Sequence, residues 1–113
     1  QQLADIADKL RATGARLQYA LTTPFMPLSS NASMVVERLN ALAWREMGKR
    51  KIPIVDLYTT VTSHCGAVYE YCDWCKTDPG KCSYHYKNEG YTALGEEVAA
   101  AIKKRLQKAR PPP

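Results

Sequence analysis

One histidine of this chain stands in a stretch whose residue types suit acid–base chemistry. His85 lies within Cys82–Gly95, in a loop directly before an amphipathic helix. An imidazole titrates near neutral pH, so a histidine placed there can both accept and return a proton. This position makes His85 a candidate acid–base residue, with an ordinary surface histidine between two tyrosines as the alternative.

Four cysteines crowd the residues around the start of this stretch. Cys65, Cys72, Cys75 and Cys82 follow the spacing C-x6-C-x2-C-x6-C. An even number of cysteines in a small domain predicts two disulfides formed in an oxidising compartment. The alternative is a structural zinc site, but four-cysteine zinc sites usually carry two CxxC pairs and this chain has one. We favour disulfides, with the consecutive pairing Cys65–Cys72 and Cys75–Cys82 preferred to the nested pairing Cys65–Cys82 and Cys72–Cys75.

A glycosylation sequon supports the same compartment. Asn31-Ala32-Ser33 has the acceptor pattern for an N-linked glycan and falls in a predicted polar loop. Together with the cysteines it predicts a secreted glycoprotein. No apolar run approaches the roughly 20 residues that cross a bilayer, so we expect no membrane span. The chain begins at Gln1 without an initiator methionine, which is typical of a processed or partial polypeptide.

The composition is that of one small globular domain. The chain has 113 residues, of which 45% are hydrophobic and 24% charged. The formal net charge is +5, and no aromatic residues interleave with the cations near the carboxyl terminus. Such cations suit the end of a helix, so we expect a solvated helix end and no nucleic-acid partner. These cations are Lys103, Lys104, Arg105, Lys108 and Arg110.

Helices and strands alternate in the predicted order α–β–α–β–loop–α. Hydrophobic spacing predicts a helix over 3–13, a strand over Ala15–Thr23 and a helix over Met34–Met47. The run Ile52–Tyr58 is almost wholly apolar, as in a strand covered on both faces. The final helix is predicted to begin near Asn88, a favourable N-cap.

This order predicts an α/β fold. Residues 59–87 lack periodicity and are predicted as a long, disulfide-rich loop. Two strands alone do not make a stable parallel sheet. We therefore predict the carboxyl-terminal part of a doubly wound, flavodoxin-like, three-layer parallel sheet domain that another chain completes. The domain is expected over 1–110, with Pro111–Pro113 as a tail.

Three runs, in this order, resemble the SGNH (GDSL-type) hydrolases. Leu21–Pro24 and Ile52–Tyr58 are similar to two strand regions of that family. His85–Gly95 resembles its last block, in which a catalytic histidine precedes a glycine-aromatic helix start. The resemblance covers about Leu3 to Leu106. It implies an SGNH-like fold and His85 as the general base of a serine esterase or acyl hydrolase.

The resemblance leaves the rest of the active site outside this chain. The sequence contains no Gly-Asp-Ser and no Gly-x-Asn-Asp run. The serine and the oxyanion hole are therefore expected on a second polypeptide that carries the amino-terminal half, giving a heterodimer without a cofactor or metal.

The partner of His85 is a departure from the family pattern. The family usually has an aspartate three residues before the histidine, where this chain has Cys82. Asp78 is the nearest upstream acid that could orient the imidazole, and Asp73 lies further back. A backbone carbonyl could serve instead, giving a Ser–His dyad, and we favour that arrangement.

Other residues near this site have both functional and structural interpretations. Tyr84, Tyr86 and Phe25 are predicted to contact an ester or glycan substrate, although packing on the disulfide loop explains the tyrosines equally well. His64 is interpreted as loop surface, and Asp56 as a capping or loop-anchoring residue at a strand end. The alternative function is a non-catalytic glycan-binding or structural subunit on an SGNH-like scaffold, which Cys82 in place of the aspartate would favour.

Overall fold

A computed structural model describes residues 2–66, 72–75 and 85–108 of the chain. Within these ranges the regular structure consists of four helices and two short strands. In chain order they are α1 (Gln2–Ala12), β1 (Tyr19–Ala20), α2 (Asn31–Lys49), β2 (Ile54–Val55), α3 (Leu57–Cys65) and α4 (Asn88–Lys108). The predicted tail Pro111–Pro113 lies outside the described residues.

The two strands pair in parallel, and α2 connects them. Tyr19 lies opposite Ile54, and Ala20 lies opposite Val55. The Tyr19 N–H donates to the Pro53 carbonyl at 2.9 Å, and the Leu21 N–H donates to the Val55 carbonyl at 3.0 Å. This β–α–β arrangement is the one that parallel strands require.

The predicted fold class is wrong. The described residues are mostly helical, and their sheet has two strands rather than the layers of a doubly wound three-layer domain. Only two residues of each predicted strand enter the ladder. The second strand stops at Val55 because Asp56 begins a helix, and Ala15–Gln18 runs up to the first strand without pairing.

Side-chain caps set the start of two helices. The Ser30 hydroxyl accepts the Ser33 N–H at 3.1 Å, so α2 begins at Asn31, three residues before the predicted start. The Asp56 carboxylate accepts the Thr59 N–H at 2.9 Å and the Thr59 hydroxyl at 2.7 Å. The predicted capping role of Asp56 is confirmed. The predicted loop over 59–87 is wrong in its first part, where α3 continues to Cys65.

Two separate hydrophobic clusters stabilise these elements. One joins the disulfide region to α3 and α4 through buried side chains: Met26, Val61, Cys72, Cys75, Tyr86 and Leu94. The other joins α1 and the end of α2 to the strand pair through Ala7, Met47 and Ile52. The first cluster therefore lies under the histidine loop, and the second lies at the opposite end of the strands.

A charged link fixes α1 against α2. The Arg50 guanidinium donates to both oxygens of Asp8, at 2.7 and 3.1 Å, and to Glu46 at 2.8 Å. Arg50 is the first cause of the lowered pKa of both carboxyl groups. This network lies beside the second cluster, at the carboxyl end of α2.

Among the described residues, none of the helices combines the length and the apolar character that crossing a membrane requires.

Candidate functional site

The candidate site lies at the end of the strand pair where β1 and β2 finish, which we call the carboxyl edge. Residues 21–23 follow β1 there, and Asp56 follows β2. Asn40 of α2 fixes the first of these segments: its side-chain oxygen accepts the Thr22 N–H at 2.9 Å, and its amide donates to the Thr22 carbonyl at 2.8 Å. Asn40 is 6% exposed, so these bonds satisfy a buried side chain.

The loop that carries His85 is held from one side by residues 74 and 75. Cys75 and Tyr86 form an antiparallel bridge, and the Lys87 N–H donates to the Trp74 carbonyl at 2.7 Å. His85 is itself exposed. It thus stands immediately before an anchored residue, in a loop that leads into α4, as the sequence predicts.

Tyr86 ties the same loop to the carboxyl edge. Its side chain is 4% exposed, packs in the first hydrophobic cluster and lies edge-on to Tyr91, with ring centroids 5.7 Å apart. The Thr23 side chain, shortly after β1, lies close enough to the Tyr86 hydroxyl to oppose, more weakly, the effect of burial on its pKa. Burial raises the pKa of this hydroxyl, so Tyr86 is neutral at physiological pH. The structure therefore assigns Tyr86 an anchoring role, and its predicted contact with substrate stays a prediction.

Close packing at Gly90 also holds the first turn of α4 against Trp74 and Tyr86. A Cβ atom at Gly90 would lie 3.0 Å from the Cβ atoms of Trp74 and Tyr86 and 3.1 Å from the Trp74 carbonyl oxygen. The first turn of α4 can approach the Trp74 segment this closely because residue 90 has no side chain. Three contacts therefore position His85: the hydrogen bond from the Lys87 N–H to Trp74, the burial of Tyr86, and the close packing of Gly90 on Trp74.

A second histidine forms a pair that the sequence interpretation missed. His64 Nε2 lies 2.7 Å from an oxygen of Asp73, and the imidazole stacks on Trp74 with ring centroids 3.7 Å apart. The pair is in contact with water, with 38% of the His64 side chain and 80% of the Asp73 side chain exposed. Because His64 belongs to the last turn of α3, its interpretation as loop surface gave the wrong element but the right exposure.

Trp74 brings the two histidine segments together. Its ring stacks on His64, while its carbonyl accepts the N–H of Lys87, two residues after His85. The Asp73 carboxylate bonds to His64. Asp73 was predicted as a possible upstream acid for His85, and in the structure it contacts the other histidine. A carboxylate held on an imidazole in this way can orient it for proton transfer.

The cysteines confirm part of the disulfide prediction. Cys65 and Cys72 form a disulfide, as the consecutive pairing predicts. Cys75 is also disulfide-bonded, and Cys82 lies outside the described residues. The sulfurs of Cys65, Cys72 and Cys75 lie within 4.8 Å of one another, but a zinc ligand must be a thiolate. The disulfide therefore argues against the zinc alternative.

The structure describes some of the other predicted site residues and not others. Phe25 is half-buried next to the buried Pro24. Asp78 and Tyr84 lie outside the described residues, so their predicted roles stay predictions. Asn31 is exposed at the start of α2, whereas the Ser33 side chain of the same sequon is fully buried. Glycosylation of Asn31 also stays a prediction.

A small cleft opens beside the carboxyl edge. Its volume is about 220 Å³, and Leu21, Asn40 and Asp56 line its inner side. On its outer side the Tyr58 hydroxyl donates to Glu37 at 3.3 Å; burial, followed by the Glu37 charge, raises the pKa of Tyr58. His85 is not among the lining residues of this cleft, so an active site that uses His85 needs a further surface.

Comparison of the chain with protein-family models, with curated proteins and with solved structures gave no match. The resemblance to SGNH hydrolases therefore rests on the short runs in the sequence.

Proposed function

We propose that this chain supplies the general-base histidine, His85, to a secreted SGNH-type serine ester hydrolase. The serine nucleophile and the oxyanion hole would lie on a second polypeptide. One observation supports this most directly: the exposed His85 precedes Tyr86, which is buried, bridges to Cys75 and lies near Thr23 at the carboxyl edge. Sites in proteins with parallel strands form beyond the carboxyl ends of those strands.

The proposal concerns a site and does not require the three-layer sheet. In acylation the His85 imidazole would accept the serine hydroxyl proton while the serine oxygen bonds to the ester carbonyl carbon. The imidazolium would then give this proton to the alcohol oxygen as the ester C–O bond breaks. Water would repeat the sequence on the acyl-enzyme and release the acid and the serine.

Exposed apolar side chains support the second polypeptide. Large hydrophobic residues on α1, α2 and α4 are about half exposed in the described chain, and apolar side chains of this kind are suited to a protein interface. They are Ile6, Leu10, Met34, Val35, Leu39, Trp44, Tyr91, Ile102 and Leu106. A partner that covered them would bring its own catalytic residues to this chain.

The Cys65–Cys72 disulfide supports an oxidising compartment. Secretion and an N-linked glycan at Asn31 belong to this proposal. Intact-mass measurement of material from a secreting host, before and after glycosidase treatment, tests the glycan; an unchanged mass removes it.

Mutation of the two histidines tests which of them is the base. The chain would be purified with its co-purifying partner and assayed on p-nitrophenyl esters. We expect His85→Ala to lower kcat/KM by about 10²–10⁴-fold, the usual contribution of general acid–base catalysis. His64→Ala is the matched control, since it removes an exposed imidazole near the same tryptophan, and we expect it to leave kcat/KM unchanged.

The reverse result would transfer the role to the His64–Asp73 pair and contradict our assignment of His85. Wild-type protein that hydrolyses no ester but binds glycans would instead favour the non-catalytic alternative. A monodisperse, folded chain without any partner would contradict the two-polypeptide arrangement.

A further inference from the structure

A cavity in the described part of the chain lies far from the candidate site, at the end of the strand pair where β1 and β2 begin. We call this end the amino edge. The cavity has a volume of about 530 Å³, within the range of ligand pockets. Its apolar surface comes from Pro53 and Ile54 at the start of β2 and from Ala101 of α4.

Four cations surround this apolar surface. Lys104, Arg105 and Lys108 come from the last turns of α4, and Arg16 comes from the segment before β1. Among the described residues, no acidic side chain lines the cavity. The three cations of α4 suit the carboxyl end of that helix, but Arg16 belongs to a different segment and converges on the same space.

These cations are not neutralised within the described residues, where the ion pairs involve other basic groups: Arg45, Lys49, Arg50 and His64. Several like charges around a concave, partly apolar wall create a positive potential that concentrates anions. Arg16 and Arg105 also offer planar sets of N–H donors that suit carboxylate and phosphate groups. The cavity thus combines a head-group site with an apolar wall.

We propose that this cavity binds a single-chain amphiphilic anion, with its acidic head group on the four cations and its aliphatic chain against Pro53, Ile54 and Ala101. An inorganic anion would leave the apolar wall wet, and a neutral lipid would leave the cations without a counter-charge. Carboxylate and phosphate head groups share the required chemistry.

This site does not depend on the proposed function. α4 runs from the histidine loop at Asn88 to the cavity at Lys104, a rise of about 24 Å at 1.5 Å per residue. A ligand bound at the amino edge is therefore separate from the reacting groups at His85.

Calorimetric titration of the native protein, with whatever co-purifies, tests the proposal. The probes are dodecanoate and dodecyl phosphate below their critical micelle concentrations, with acetate, inorganic phosphate and dodecyl maltoside as comparisons. We expect one or both of the dodecyl anions to bind, the three comparisons to bind at least about tenfold more weakly, and the preferred head group to identify the source.

Two variants locate the binding. Arg16→Gln combined with Lys104→Gln should weaken dodecyl anion binding by about tenfold or more, because each lost charge-assisted bond contributes to affinity. Lys103→Gln is the matched control, since Lys103 lies on the same helix outside the cavity and is exposed. Circular dichroism would verify that the variants are folded. Equal loss in both variants, tight binding of inorganic phosphate, or equal binding of dodecyl maltoside would overturn the proposal.

Discussion

The two ends of the strand pair differ in whether their polar side chains have bonding partners within the described chain. At the carboxyl edge, Asn40 bonds the segment after β1 to α2, Asp56 caps the start of α3, and Tyr86 is buried in the first hydrophobic cluster. At the amino edge, the cations around the large cavity converge without carboxylate partners among the described residues. Polar groups with fixed partners position a structure, whereas unneutralised charges are available to a ligand. The comparison predicts that substitutions at the first edge cost stability and those at the second cost binding.

The largest expected loss of stability is at the disulfide beside the carboxyl edge. Cys65 and Cys72 are separated by 7 positions, and closing a loop of that length stabilises a fold by roughly 2–3 kcal/mol. We expect Cys65→Ala combined with Cys72→Ala to lower the free energy of unfolding by about that amount in urea denaturation. A change below about 0.5 kcal/mol, typical of a surface substitution, would mean that the disulfide does not hold this region.

The next largest loss of stability is expected at Gly90, and Gly95 on the same helix is its control. A methyl group at Gly90 must displace Trp74 and Tyr86, so Gly90→Ala should destabilise the fold by about 1–3 kcal/mol. A methyl group at Gly95 meets nothing within 4 Å, and Gly95→Ala should stabilise the helix by about 0.5–1 kcal/mol. Equal effects in urea denaturation would contradict the close packing under the histidine loop.

Arg50 shows how a structural cation behaves near the amino edge. Its bonds to Asp8 and Glu46 lower the pKa of both carboxyl groups. A lowered pKa in the folded state gives stability that is present above the unfolded pKa, near 4, and is lost as the pH falls through the folded pKa. Arg50→Gln should therefore be less stable than wild type at pH 7, and the difference should shrink as the pH falls below about 4.

Measurement of the unfolding free energy of both proteins between pH 7 and pH 2 checks this expectation. The effect should be smaller than that of Gly90→Ala because water competes for these partly exposed groups. A difference that does not change with pH would contradict the role of Arg50.

The smallest expected change in stability is at the cavity cations. Arg16→Gln combined with Lys104→Gln removes charges that hold no carboxylate partner in the described chain, so the free energy of unfolding should change by less than about 0.5 kcal/mol. A loss as large as that at Gly90 would mean that these cations position the fold.

The sequence predicted the helices better than the strands. The periodic apolar residues of α1 and α4 placed those helices closely, because helical spacing alone marks a helix. The stripes themselves are only partly buried: Ala7 and Leu94 are buried, whereas Ile6, Leu10, Ile102 and Leu106 are about half exposed. The missed helix, α3, begins Leu57-Tyr58-Thr59-Thr60-Val61, whose β-branched and aromatic residues favour a strand. The Asp56 cap overrides that preference, and the same cap shortens β2.

The candidate site was predictable where sequence neighbours determine it. The His85 loop before α4 follows from a local pattern, and the Cys65–Cys72 pair belongs to the preferred one of the pairings that the cysteine spacing left open. The His64–Asp73 pair had a signal that was missed: the two residues directly flank Cys65 and Cys72, so the disulfide brings them together. The contact between Tyr86 and Thr23 joins distant parts of the chain and has no local pattern.

The central claim is that His85 activates a serine on a partner polypeptide. Labelling of the purified assembly with a fluorophosphonate probe tests it most directly, because the probe reacts with activated serines and its site is identified by mass spectrometry. Our account predicts labelling of one serine on the partner, abolished by His85→Asn and retained in His64→Asn. Labelling that persists in His85→Asn, or a wild-type assembly that takes up no label, would contradict it.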